Sequence, residues 1–205
     1  MSGDVEAVVF DLGGVLVDWN PRYLYRRIFD DEAVMERFLA LATPSAWNHR
    51  MDEGVPFAEA IAERKTRFPE WAVELDAYWA RWPEMLGGAI DDTVRILEEL
   101  GDRGVPLYAL TNWSAETFPF ARARYAFLDR FEDIVVSGIE RVAKPSPALY
   151  RRLTERNRLD PAQLLFVDDK PENVRAARAL GWAGVVFEDP PRLRRALVER
   201  GLLGP

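Results

Sequence analysis

The 205-residue chain has an acidic but otherwise ordinary globular composition, and this excludes several classes of function. Hydrophobic residues make up 48% and charged residues 30% of the chain, as in a domain with a buried core. The net charge of -7 argues against a nucleic-acid-binding protein, which needs a basic face. The chain has no cysteine and one histidine, so carboxylates, lysines and hydroxyls must carry any chemistry.

The amino terminus has no basic segment followed by an apolar one, and no stretch is apolar for long enough to span a bilayer. We therefore expect a cytoplasmic protein with neither a nucleic acid nor a membrane as partner. The sequence carries no indication of the oligomeric state.

An apolar run near the amino terminus, Val8 to Phe10, ends at Asp11 and is followed by Leu12 and two glycines. This pattern predicts a buried strand that delivers Asp11 to a tight turn. A carboxylate at the end of a buried strand is costly unless a cation compensates its charge. Asp11 is therefore a candidate for chemistry, and an acid that merely terminates a strand is the alternative.

Residues 18–87 are predicted to be helical, and Pro21 suits the first turn of a helix. Apolar residues recur at helical spacing in five segments: 23–29, 32–41, 45–51, 56–68 and 71–82. We assign most of the tryptophans here to packing. Residues near the predicted hinges and turns are candidates for a substrate pocket: Trp19, Arg22, Trp47, His49 and Arg50.

From residue 88 onward, predicted helices alternate with short apolar strands. Strands are expected at 105–110, 133–136, 164–167 and 184–187, and helices at 90–100, from about 114, from Pro147 with Ser146 as its cap, and from Pro171. Uniformly apolar strands that alternate with helices predict a parallel sheet covered on both faces. We therefore predict an α/β fold: a three-layer, Rossmann-like, doubly wound sheet from residues 1–17 and 88–205, with a helical cap inserted at 18–87.

Three predicted strands end in polar groups, namely Asp11, Thr111 and the pair Asp168 and Asp169. The carboxyl ends of parallel strands lie along one edge of the sheet, so these groups are expected to converge there. Lys144 is predicted to lie on a loop at the same edge, at the start of a helix. Carboxylates without thiols or imidazoles suit Mg²⁺.

The hydroxyl of Thr111 and the backbone N–H of Asn112 can contact a phosphate, and Lys144 adds positive charge. A carboxylate beside Mg²⁺ and a lysine can attack phosphorus and form an aspartyl-phosphate, which water then hydrolyses.

The chain resembles the haloacid dehalogenase-like hydrolase superfamily over essentially its full length. Four segments carry the resemblance, in the family's order: residues 10–16, 110–112, 144–145 and 166–169. The helical segment 18–87 is similar to the cap that one branch inserts between the first and second motifs. The resemblance is closest to bacterial sugar-phosphate phosphatases, which also show Asp-Leu-Gly in the first motif, here Asp11-Leu12-Gly13, and an acidic turn before glycine in the cap, like Asp52-Glu53-Gly54.

The resemblance implies that Asp11 is the nucleophile, Thr111 a phosphate ligand, and Lys144 the charge that organises both. Asn173 falls where relatives carry a polar residue near the site. The implied ligands of Mg²⁺ are Asp11, Gly13 through its carbonyl, Asp168 and, in support, Asp169. We expect a Mg²⁺-dependent phosphomonoesterase that acts through an aspartyl-phosphate on a small phosphorylated metabolite such as a sugar phosphate.

One position departs from the family's phosphatase pattern. Two residues after the nucleophile, where those enzymes carry a second acid, this chain has Gly13. The second acid protonates the leaving oxygen and then activates water, help that is worth roughly 10²–10⁴-fold. Asp18 is a candidate substitute, although a turn or a helix cap is the more ordinary role for it.

Two other functions fit the missing acid. Metal-independent 2-haloacid dehalogenases also lack it, but they usually carry Ser-Ser-Asn-type residues where this chain has Asp168 and Asp169. A non-catalytic relative would keep the fold and bind a phosphorylated ligand or a protein. Retention of all four motifs argues against that second alternative.

Overall fold

The computed structural model describes residues 5–204, so part of the amino-terminal segment for which we expect no targeting signal lies outside it. The strands of the described chain, in order, are β1 (Ala7–Phe10), β2 (Val17–Trp19), β3 (Leu86–Ala89), β4 (Leu107–Thr111), β5 (Asp133–Val136), β6 (Leu164–Asp168) and β7 (Ala183–Val186).

The helices, in order, are α1 (Arg22–Tyr25), α2 (Glu32–Leu41), α3 (Ser45–Asp52), α4 (Phe57–Arg67), α5 (Ala72–Ala80), α6 (Asp91–Asp102), α7 (Phe118–Arg124), α8 (Ser137–Glu140), α9 (Pro147–Asn157), α10 (Pro171–Ala179) and α11 (Pro190–Val198). Short 3₁₀ turns occupy Pro69–Trp71, Trp82–Met85, Ala126–Arg130 and Pro161–Gln163.

Five parallel strands form the central sheet in the order β5-β4-β1-β6-β7. Side chains of β1 alternate between its two faces: Val8 and Phe10 belong to one apolar cluster, Ala7 and Val9 to the other. Both faces are buried because helices cover them, α6 and α11 on one side and α9 and α10 on the other. The predicted α/β, three-layer parallel fold is confirmed.

The helical segment, as we call residues 22–85, contains α1–α5 and lies between β2 and β3 in the chain. Its apolar interior is aromatic: Tyr78 lies in edge or tilted contact with Tyr25, Trp47 and Phe57, with ring centroids 4.9–6.3 Å apart. Trp47 is buried in this packing, as predicted for most of the tryptophans. The division of the chain into a core and a cap stays a prediction.

Residues 18–21 were expected to form a connection, and no strand was expected from there to about residue 88; the structure has β2 in the first region and β3 at the end of the second, so both expectations were wrong. β2 and β3 pair antiparallel, with Val17 opposite Ala89 and Asp18 opposite Gly88. Sequence pattern misses β3 because its residues, Leu-Gly-Gly-Ala, have low β-propensity, and its pairing with β2 is the only thing that defines it. The pair lies at the predicted boundaries near residues 18 and 87.

Some predicted helix boundaries also differ from the structure. The first helix of the helical segment ends at Tyr25 rather than residue 29, and α7 begins at Phe118 rather than near Ser114. Ser114 instead forms a turn in which its hydroxyl accepts a hydrogen bond from the N–H of Glu116. Ser146 does occupy the N-cap position of α9, but its side chain makes no capping bond.

Within residues 5–204, we find no helix that combines the length and the hydropathy needed to cross a lipid bilayer.

Candidate active site

The site lies where the three central strands of the sheet end. Asp11 follows β1 directly, and its backbone N–H donates to the carbonyl of Val167 on β6 at 2.8 Å. Thr111 is the last residue of β4 and Asp168 the last of β6. Because β4, β1 and β6 are neighbours, these three residues share one edge of the sheet.

Lys144 is the fully buried cation of this edge. Its ammonium lies 3.0 Å from Asp11 Oδ1, 2.7 Å from Asp168 Oδ2 and 2.7 Å from the carbonyl oxygen of Leu110, so all three of its N–H groups have acceptors. Burial alone lowers the pKa of Lys144, but the two carboxylates outweigh it and raise the pKa above its ordinary value. The lysine is therefore charged at neutral pH.

The carboxylate of Asp168 is held from several sides. Its Oδ1 accepts the backbone N–H of Lys170 at 2.8 Å, and the side-chain amide of Asn173 donates to both of its oxygens at 3.0 and 3.1 Å. Asn173 is itself oriented at the start of α10, where its carbonyl accepts from the hydroxyl of Tyr150 at 2.9 Å. From the sequence, Asn173 was expected only to lie near the site; in the structure it donates hydrogen bonds to Asp168.

A metal ion would fit the acidic cluster of Asp11, Asp168 and Asp169. One oxygen from each carboxylate lies within 4.8 Å of the others, and three carboxylates with one ammonium leave a net charge of about -2. Oδ1 of Asp169 is buried without a hydrogen-bond partner among residues 5–204. An all-oxygen donor set with an unsatisfied buried oxygen matches the preference of Mg²⁺.

The pKa values of the cluster show the same imbalance of charge. Burial raises the pKa of Asp11 to about 7 even though Lys144 opposes the shift, and the neighbouring Asp168 and Asp169 add to it. Burial and Asp168 also raise the pKa of Asp169. Burial is thus the main reason that Asp11 and Asp169 hold their protons more tightly than free carboxyls, and the repulsion between the acids adds to it.

The two glycines after Asp11 have different surroundings. Gly14 has a φ of +75°, and a Cβ there would lie 2.9 Å from Oδ2 of Asp169, so only glycine fits. A Cβ on Gly13 would meet no atom within 4 Å. The position at which the resemblance implies a second acid therefore borders open space in the part of the chain that the structure describes.

A pocket of about 280 Å³ opens above the cluster, between the sheet edge and the helical segment. The residues that line it from the sheet edge are Asp11, Gly13, Gly14, Asn112, Trp113, Ser114, Thr117, Asp169, Lys170 and Asn173. Those that line it from β2 and the helical segment are Trp19, Asn48, His49, Asp52, Phe57 and Trp82.

Not every residue predicted for the site lies on the wall of this pocket. Thr111, Lys144 and Asp168 are buried beneath it, and the hydroxyl of Thr111 has no hydrogen-bond partner among the described residues. Asn112 does line the pocket, and its side-chain amide accepts from the N–H of Lys144 at 2.8 Å and donates to its carbonyl at 3.0 Å. These two hydrogen bonds fix the backbone of the buried lysine.

Of the further pocket candidates, Trp19 and His49 line the pocket. Arg22 and Arg50 instead form ion pairs with Glu36 and Glu63 on the helical segment, outside the pocket.

Asp18 is bound elsewhere. Its carboxylate accepts the hydroxyl of Tyr23 at 2.5 Å, and it does not line the pocket. Asp18 is therefore badly placed to replace the acid missing at position 13.

Sequence reasoning missed several pocket residues. Trp82 and Trp113 pack against each other with ring centroids 5.8 Å apart and line the pocket with Trp19 and Phe57. Their apolar spacing looks the same as that of core residues, so the pattern gave no signal. Asp52 also lines the pocket; the acidic turn before Gly54 was its only sequence signal.

Burial raises the pKa of Asp52 to about 7, against the attraction of Lys170, and the charges of Asp11 and Glu53 add to the shift. The carboxyl of Asp52 thus retains its proton in the folded state to a higher pH than in the unfolded chain. It lines the same pocket as the acidic cluster, and a hydrogen bond from the backbone of Ser114 lowers its pKa in part.

The parallel sheet with a carboxylate cluster at its carboxyl edge defines the class of the protein as α/β, and in open parallel sheets this edge is where ligands bind. A model of the haloacid dehalogenase-like hydrolases matches residues 5–181. The chain is therefore a hydrolase and belongs to the haloacid dehalogenase-like family.

Two relatives are phosphatases. The chain is 28% identical to a sesquiterpene phosphatase of Aspergillus oryzae over 92% of its own length and 93% of the relative. It is 25% identical to a phosphorylated carbohydrates phosphatase of Thermotoga maritima, over 86% of this chain and 82% of that one.

Among solved structures, the chain is similar to a haloacid dehalogenase family enzyme from Bacteroides thetaiotaomicron, in a structure with magnesium and inorganic phosphate. The TM-score is 0.69 at 22% identity, over 92% of this chain and 98% of that one. At this identity the likeness supports the fold alone.

The raised pKa of Asp52 predicts a change in stability with pH. The pKa of Asp52 is higher in the folded state than in the unfolded chain. Its protonation therefore contributes fully to the free energy of unfolding below about pH 4, and this contribution is lost as the pH rises to about 7. Replacing Asp52 with Asn removes this dependence. We expect Asp52→Asn to gain on the order of 2 kcal/mol in the free energy of unfolding, relative to wild type, between pH 4 and 7.5.

Urea unfolding in magnesium-free buffer at both pH values measures this gain, with Asp129→Asn, an exposed acid outside the pocket, as the matched control. An unchanged difference between Asp52→Asn and wild type at the two pH values would contradict it.

Proposed function

We propose that this hydrolase is a Mg²⁺-dependent phosphomonoesterase whose nucleophile is Asp11. The observation that carries the proposal is the contact of Asp11 and Asp168 with one buried lysine at the floor of a pocket. The phosphatase relatives support the same reaction class.

Asp11 is prepared for attack by the groups around one of its oxygens. Its Oδ1 accepts the N–H of Leu12 at 2.7 Å and lies 3.0 Å from the ammonium of Lys144. These two donors fix the carboxylate and leave Oδ2 as the oxygen that bonds to phosphorus. The bond to the leaving oxygen breaks as the Asp11–phosphorus bond forms, and water later displaces the phosphoryl group.

Three groups are proposed to bind the phosphate. The hydroxyl of Thr111 is buried and unpartnered, so a phosphate oxygen would satisfy it. The backbone N–H of Asn112 follows it at the end of β4, and Lys144 supplies charge beneath both. Together they offset the negative charge of the transferring group.

The residues proposed to hold Mg²⁺ are Asp11, Gly13 through its carbonyl, Asp168 and Asp169. When bound, the ion would neutralise charge on the phosphate and draw its oxygens toward the cluster. Asn173 and the N–H of Lys170 would orient Asp168 for this role through the hydrogen bonds that they already make.

The walls of the pocket favour a substrate with an apolar group over the sugar phosphate expected from the sequence. Four aromatic side chains, those of Trp19, Phe57, Trp82 and Trp113, line it. Of the polar wall residues, Asn112 is bonded to the Lys144 backbone. The side chain of Asn48 is likewise bonded, to Tyr78 and to Asp52, so both of these wall amides already have protein partners. We propose a monophosphate ester of an apolar or aromatic alcohol.

The first test of the proposed reaction is phosphate release from an aryl phosphate with and without Mg²⁺. We expect Mg²⁺-dependent release by wild type, and a loss of at least about 10³-fold in Asp11→Asn because the nucleophile is gone. The exposed acid Asp129, changed to Asn, is the control and should retain full activity.

Two results would overturn the proposed reaction. Release that is equal in wild type and Asp11→Asn would exclude Asp11 as nucleophile. Halide release from 2-chloropropionate without added metal, in the absence of phosphatase activity, would instead establish a dehalogenase.

The proposed substrate class predicts a preference between two phosphates. We expect kcat/KM to be higher for octyl phosphate than for glucose 1-phosphate, because the alkyl chain contacts the aromatic walls. Trp19→Ala removes part of a wall, and its KM for octyl phosphate should rise about 5–30-fold, the equivalent of about 1–2 kcal/mol of lost apolar contact.

Trp71, a tryptophan of the helical segment that packs on Phe38 and Phe68 outside the pocket, provides the control Trp71→Ala. The proposed apolar substrate would be rejected in favour of a sugar phosphate if glucose 1-phosphate is preferred and Trp19→Ala changes the KM of neither octyl phosphate nor glucose 1-phosphate.

A further inference from the structure

We propose that Asp52, at the end of α3 in the helical segment, is the general acid and then the general base of the hydrolysis, in place of the acid absent at position 13. This inference rests on the proposed phosphatase function and adds a catalytic residue to it.

The pocket leaves one carboxyl group free for this role. Among the described residues that line it, the acids are Asp11, Asp169 and Asp52. Asp11 is the proposed nucleophile, and Asp169 belongs to the metal cluster. Asp52 is the remaining acid, and it enters the pocket from the end of α3. Among the described residues, no atom lies within 4 Å of a Cβ built on Gly13, so this part of the pocket has room for a ligand. The inference places the carboxyl of Asp52 on the leaving-group side of the bound phosphate.

The backbone of Asp52 is fixed to the sheet edge. Its carbonyl accepts the hydroxyl of Ser137 at 2.5 Å, and the same hydroxyl oxygen accepts the N–H of Trp113 at 2.9 Å. Two residues later, a Cβ on Gly54 would lie 3.2 Å from the carbonyl of Gly138. The turn after α3 is thus in close contact with the start of α8, and this contact sets where Asp52 enters the pocket.

The side chain of Asp52 is oriented by a short hydrogen-bonded chain. Asn48, one turn earlier on α3, donates from its side-chain amide to Oδ2 of Asp52 at 3.2 Å. The hydroxyl of the buried Tyr78 donates to the amide oxygen of Asn48 at 2.8 Å, which fixes the direction of the amide. Asn48 therefore holds Oδ2, and the backbone N–H of Ser114, at the sheet edge, is a second hydrogen-bond partner of the carboxyl.

The charges facing Asp52 suit a group that both gives and takes a proton. Lys170 and Asp11 act on it from the sheet edge, and Glu53 and His49 are its charged or titratable neighbours on the helical segment. Burial outweighs Lys170 and brings the pKa of Asp52 to about 7. A pKa near the working pH makes both the acid and the base available.

Two other residues are less well placed. His49 lines the pocket, but its ring lies 3.8 Å from Glu53 and is substantially exposed. Asp18 is bound to Tyr23 and lies outside the pocket. Neither is fixed to the sheet edge as Asp52 is through Ser137.

The proton balance follows from these positions. As Asp11 bonds to phosphorus and the ester bond breaks, the leaving oxygen takes the electron pair of that bond and the proton of Asp52, and it departs as an alcohol. The Asp52 carboxylate then accepts a proton from the water that attacks phosphorus. The Asp11–phosphorus bond breaks, phosphate leaves, and Asp52 is again protonated.

The experiment measures kcat/KM of Asp52→Asn with aryl phosphates whose leaving groups grow steadily poorer: 2,4-dinitrophenyl, 4-nitrophenyl and phenyl phosphate, in the presence of Mg²⁺. A good leaving group departs without a proton, so we expect a loss below about 10-fold with the dinitrophenyl ester and of roughly 10²–10⁴-fold with phenyl phosphate. The isosteric amide can still accept from Asn48.

Asp52→Ser, which replaces the carboxyl by a smaller side chain, is a second variant. Its loss of kcat/KM must also grow as the leaving group becomes poorer. Asp76→Asn, an exposed acid of the helical segment outside the pocket, is the matched control and should behave as wild type with every ester. Thermal unfolding checks that each variant is folded.

Losses in the Asp52 variants that are equal for all three esters would show a merely structural residue and overturn the inference, as would the absence of any loss. The failure of the proposed function looks different: wild type itself would then release no phosphate from any of the esters.

Discussion

The ion pairs of Lys144 with Asp11 and Asp168 are the interaction on which the rest of the site depends. A buried ammonium is costly unless its donors are satisfied, and here all three have an acceptor. The lysine ties the ends of β1 and β6 to the loop before α9, and its third bond reaches the carbonyl of Leu110 on β4. One residue thereby joins the three central strands at the edge that carries the candidate site.

The same interaction explains why the site calls for more positive charge. Burial, with the neighbouring carboxylates, raises the pKa of Asp11 in spite of Lys144, and Oδ1 of Asp169 is buried without a hydrogen-bond partner among residues 5–204. The carboxylate cluster lies at the sheet edge, and Asp52 enters the same pocket from the end of α3. We propose different roles for them: the cluster holds the metal ion, and Asp52 transfers protons.

Much of this could be predicted from the sequence, for identifiable physical reasons. Uniformly apolar strands indicated a parallel sheet, and in such a sheet polar residues at strand ends share an edge, which is why Asp11, Thr111 and Asp168 could be grouped across the chain. The pairing of β2 with β3 could not be found, because two glycines obscure its pattern. Pocket aromatics such as Trp82 have the spacing of core residues, and the orientation of Asp52 depends on a contact with Ser137, 85 positions away.

We propose that a phosphoryl group is transferred to Asp11, and peptide mapping tests this most directly. The enzyme is quenched rapidly in acid during turnover of 4-nitrophenyl phosphate with Mg²⁺ and is then digested and mapped. We expect a phosphoryl group on the side chain of Asp11, and none when the quench follows exhaustion of the substrate. Phosphate release with the phosphoryl group on any other residue would contradict it.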